Sequence, residues 1–96
     1  MQISLIKGCF NSDEAMDLLT QLLHVKIRFH ENKIKQSHNI EDIEHREQRI
    51  IELQKSLYDI HRFVKNGDEF VDLSTDVYIN ERRTKYLKTK NNVVAL

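Results

Sequence analysis

The chain has no proline, no tryptophan and two glycines in 96 residues. With so few breakers, a turn-rich domain is excluded and long uninterrupted elements are expected. One cysteine, Cys9, rules out an internal disulfide and fits a reducing compartment. Thiol activation needs a histidine or cation close by, and Cys9 has only Lys7 in its local sequence. No apolar run approaches the roughly 18 residues of a membrane span, and the opening MQISLIKG lacks the basic, apolar and small-residue order of a signal peptide. A cytoplasmic protein with no membrane contact is the expectation. The glycine-rich and nucleophile motifs are missing too: there is no G-x-G-x-x-G, phosphate loop, G-x-S-x-G or C-x-x-C. A non-enzymatic protein with no cofactor, no metal and no catalytic residue follows as the reading.

What is present is an ordinary globular balance, 40% hydrophobic and 31% charged, in a length that makes one domain, residues 1–96. At this size a single core is only moderately stable, so self-association is expected to supplement it. In QISLIKG, Ile3 and Leu5 alternate with polar residues, a strand signal over residues 2–7 that Gly8 should end. Asn11 followed three residues later by Glu14 is a capping box, and Asp13 and Asp17 add the negative charge that a helix start favours. The helix is predicted over residues 12–35. Its apolar residues fall on two edges, Ala15, Leu18, Leu22, Val25 and Phe29 on one and Met16, Leu19, Leu23, Ile27 and Ile34 on the other, spanning an arc of roughly 200°.

After the polar break KQSHN, Asn39 reads as a second cap and a helix is predicted over residues 40–65, ending before Gly67. Ile43, Ile50, Leu53, Leu57, Ile60 and Val64 make a heptad seam interrupted by Arg46, while Ile40, Ile51 and Tyr58 lie outside it. EFVDLSTDVYIN then alternates as a half-buried strand over residues 70–80, with the first strand as its natural partner. Thr84 to Leu87 could add a third strand. The predicted fold class is α+β: a long antiparallel helical hairpin flanked by strands that form a small antiparallel sheet, assembled as a dimer. Surplus apolar surface singles out Leu18, Leu22, Phe29, Ile51 and Tyr58 as the expected oligomer interface.

The segment KIRFHENKI raises a metal question, because H-E-x-x-H sets two histidines on one helical face. Ile34 occupies the second histidine's place, and helical phase turns Glu31 away from His30. His30 is therefore expected to pack in the hairpin, satisfied by a partner from the other helix. Asp42 and His45 share an i, i+3 spacing, and a pivot near residue 37 would bring His45 opposite His30, but no carboxylates on the first helix complete a ligand set.

Charge is segregated although it sums to zero: residues 1–81 hold 10 Lys/Arg against 15 Asp/Glu, and residues 82–96 hold five Lys/Arg and no acid. This basic C-terminal segment, with Tyr86 among its cations, offers Arg82, Arg83, Lys85 and Lys88 as candidate nucleic-acid contacts. The acidic body would repel a phosphate backbone elsewhere.

The I-x-G-x-F-x-x-x-E-A opening within ISLIKGCFNSDEAMDLL and the K-I-x-F-H of VKIRFHENK resemble a group of small uncharacterised bacterial proteins of strand–helix–helix–strand type. The resemblance covers about the first 35 residues and implies no activity, substrate or cofactor. The expected function is a homo-oligomeric interaction or structural protein that binds itself or another protein, and the alternative is a small nucleic-acid-binding or regulatory protein.

Overall fold

Asn11 is where extended chain turns into helix. Its side chain accepts the Glu14 N–H at 2.9 Å and the Glu14 carboxylate accepts the Asn11 N–H at 3.4 Å, so both halves of the capping box form. The computed structural model describes residues 1–65 and 70–82, which form β1 (Gln2–Asn11), α1 (Ser12–Gln36), α2 (Ile40–Lys65) and β2 (Phe70–Tyr78). The protein is thus α+β, a helical hairpin whose outer ends run into one two-stranded antiparallel sheet. The possible strand at residues 84–87, Gly67 and the basic segment beyond Arg82 lie outside the described residues.

The helices are 25 and 26 residues long, or about 38 Å each, α2 with the expected bounds and α1 one residue longer than expected at its C-terminal end. Between them the Ser37 N–H returns to the Ile34 carbonyl at 3.2 Å, and the Asn39 side chain accepts the Asp42 N–H at 3.0 Å. A residue that closes one helix and a residue that opens the next stand two positions apart. The reversal is therefore tight, and it sets the two helices side by side.

The strands differ from expectation in an informative way. Gly8 does not end β1. It pairs with Leu73, and the ladder runs on to Asn11 opposite Phe70, because β2 continues to offer a partner and the Phe10 ring lies beside Gly8 where a side chain would have been. Leu5 falls out of register between Ser4↔Asp76 and Ile6↔Thr75. This bulge shifts the alternation by one, so that Ile3 and Ile6, three apart, share a face with Phe10, Val71, Leu73, Thr75 and Val77. Leu5, read as inward from the alternation, is left half exposed. At the other end β2 stops at Tyr78, and reciprocal hydrogen bonds between Met1 and Ile79 extend the pairing by one residue.

The core is narrow. Among the described residues Ala15, Ile27, Leu53 and Val64 are the buried apolar side chains, and His30 is the buried polar one. Ile43, Ile50, Leu57 and Ile60 are half-buried along the seam, as the heptad spacing implies. The strands meet α1 and hardly touch α2, so no other described element covers the outward side of α2. No helix among the described residues is long and apolar enough to cross a membrane.

Candidate functional site

His30 sits in the apolar arc of α1 and is completely buried. The residue opposite it is Arg46, not His45: the Arg46 Nη1 lies 3.1 Å from His30 Nδ1, while His45 is exposed one helical step away. A guanidinium has only donors, so Nδ1 must accept and the proton of the neutral ring resides on Nε2. This tautomer spends the Nδ1 lone pair on Arg46 and carries hydrogen where a second lone pair would be. Neither nitrogen is then available to a metal or to a substrate proton. Among the described residues no group of three or more His, Cys, Asp or Glu side chains could hold a metal ion.

Three further side chains complete the cluster. The Asp42 carboxylate holds Arg46 Nε at 3.3 Å across one helical turn, which aims the guanidinium across the hairpin. Phe29 stands edge-on to His30, with ring centroids 5.6 Å apart and planes at 75°. Lys33 and Arg46 each place their charge over the Phe29 ring, at 5.7 and 5.9 Å. The break in the heptad seam is therefore occupied by a polar cross-link between the helices. Nearby, burial and then the charge of Arg49 hold the Lys26 ammonium below its ordinary pKa.

Between the helices an open groove of about 320 Å³ is lined by His24, Ile27, Arg28, Glu31, Gln54 and Leu57. Its apolar floor, Ile27 and Leu57, already belongs to the hairpin seam, so the groove is a dent in that seam with a charged rim. Cys9 is a free thiol on the exposed polar face of β1, opposite Asp72.

The five expected interface residues separate into two sets. Leu18 and Leu22 are half-buried, and Phe29, 36% exposed, is already engaged by His30, Lys33 and Arg46. Ile51 and Tyr58 are 57% and 61% exposed on the outward side of α2, in line with Ile40 at 71%. Val25 and Phe63 are exposed as well, and the sequence pattern did not single out either as interface. Of the candidate nucleic-acid contacts, Arg82 is exposed beyond β2, and Arg83, Lys85 and Lys88 lie outside the described residues. No protein-family profile, curated protein or solved structure matches this chain.

Proposed function

We propose that this chain is a non-enzymatic, homo-oligomeric interaction protein whose helical hairpin binds a second copy of itself. One observation carries the reading: Val25, Ile40, Ile51, Tyr58 and Phe63 are 57–76% exposed, while the described residues bury only four apolar side chains. Scattered exposed apolar residues are ordinary, but three aligned on one unpartnered helix face are the mark of a contact surface. A second copy would cover that surface and add to a core that is narrow for two 38 Å helices.

The buried polar groups favour the same reading. His30, Arg46 and Asp42 are linked in series across the hairpin, Arg46 donating to the Nδ1 of the buried His30 and being held by Asp42, which fits a structural cross-link and leaves the exposed surface as the functional part. The alternative, nucleic-acid contact through Arg82, Arg83, Lys85 and Lys88, rests on the charge segregation of the sequence alone. The test of the leading reading is the solution mass at micromolar concentration: twice the chain mass supports it, and a well-folded monomer contradicts it.

A further inference from the structure

The outward side of α2 carries more than apolar residues. Ile40, Glu44, Glu47, Ile51, Lys55, Tyr58 and Arg62 follow one another at intervals of three or four, so they form a single stripe along the helix, turned by roughly 130° from the seam that meets α1. All seven side chains are exposed. Their charges are sorted by position: the acids Glu44 and Glu47 precede Ile51, and the bases Lys55 and Arg62 follow it. The ion pairs formed on this helix among the described residues are Asp42 with Arg46 and Arg49 with Glu52, so none of the four stripe charges is paired with another described residue. Arg62 does lie over the Tyr58 ring, 5.8 Å from its centroid, which orders both side chains in place.

A stripe that is acidic in one half and basic in the other is self-complementary in only one orientation. Parallel pairing with a second copy sets acid against acid and base against base. Antiparallel pairing about a two-fold axis sets each acidic half on a basic half, twice over, as an isologous contact requires. We infer that two copies of this chain associate through antiparallel contact of their α2 stripes, with the two-fold axis passing at Ile51. Ile51 then meets its own copy, Glu47 faces Lys55, and Glu44 lies within reach of the Tyr58 hydroxyl and of Arg62, while Ile40 packs on the aliphatic stem of Arg62. Self-pairing at Ile51 supplies the apolar centre, and the flanking charges fix the orientation and exclude the parallel alternative.

This inference rests on the self-association proposed above, and the test separates the two. One variant carries Lys55→Glu and Arg62→Glu, and a second carries Glu44→Lys and Glu47→Lys. Sedimentation or light scattering over a concentration series gives the self-association constant of each, with circular dichroism as the check on folding. Each variant alone should dimerise at least about tenfold more weakly than the unaltered chain, and an equimolar mixture should recover its affinity as a heterodimer. If the unaltered chain dimerises and both variants dimerise equally well, the stripe is not the interface and self-association stands without it. If the unaltered chain is a monomer, both fall together.

A cysteine scan asks the same question without altering charge. In a Cys9→Ser background, Ile51→Cys should oxidise to a disulfide-linked dimer at micromolar concentration, because the two-fold axis sets residue 51 against itself. Phe63→Cys, at an exposed position about a third of a turn from the stripe, should stay unlinked. Linkage at 63 and none at 51 would overturn the placement.

Discussion

Arg46 occupies a seam position where an aliphatic residue would have continued the heptad, and its side chain is 14% exposed. A half-buried guanidinium is costly unless its donors are used, and here Asp42 and His30 use them. Arg46→Ala removes the donor to a fully buried imidazole and uncovers Phe29 in one step. The expected loss is about 2 kcal/mol, seen as a fall of about 10 °C in Tm. Arg46→Lys should recover little of it, because a single ammonium cannot bridge Asp42 and His30 as a fork does. A melting temperature unchanged in Arg46→Ala would mean that the cluster contributes nothing. Lys26 is the opposite case. Its pKa is lowered by burial and by Arg49, so the folded state holds the charged form at a cost below that lowered pKa, and the cost disappears as pH rises toward 10.5. Lys26→Met should therefore raise Tm at neutral pH, with the gain shrinking under alkaline conditions. A pH-independent difference would assign the effect to apolar contact instead.

At the scale of elements, local signals decide boundaries. The Asn11–Glu14 capping box and the Asn39 cap start the two helices at the residues where the sequence puts them. Asn11→Ala should cost about 1 kcal/mol by chemical denaturation, since it frees the Glu14 N–H at a helix start that also ends β1. A change within a few tenths of a kcal/mol would show that strand pairing alone holds this junction. Helix extents, the seam and the burial of His30 were legible in the residues because each follows from a period or a cap. The bulge at Leu5 was not, since it depends on where β2 lies opposite β1, and the run of β1 through Gly8 depends on the same pairing. Arg46 was visible only as an interruption of the heptad. Its partner could have been found by carrying helical phase one residue past His45, which turns position 46 inward by about 100°. The separation of Leu18, Leu22 and Phe29 from Ile51 and Tyr58 required knowing which side of each helix the hairpin covers.

At the scale of the molecule, shape and burial point the same way. The chain is elongated and thin, 49 × 31 × 15 Å, with a radius of gyration of 16.6 Å against roughly 12.5 Å for a compact domain of this length. Two-stranded ribbons are marginal in water, and this one shares its apolar face with α1 while α2 stands largely apart from it. A second copy lying along α2 would give the hairpin a four-helix neighbourhood and bury side chains that the single chain leaves in water. Mass by multi-angle light scattering at micromolar concentration addresses this most directly. A dimer of twice the chain mass, dissociating on dilution, is the predicted result. A monomer that persists throughout the micromolar range and still melts cooperatively would contradict it.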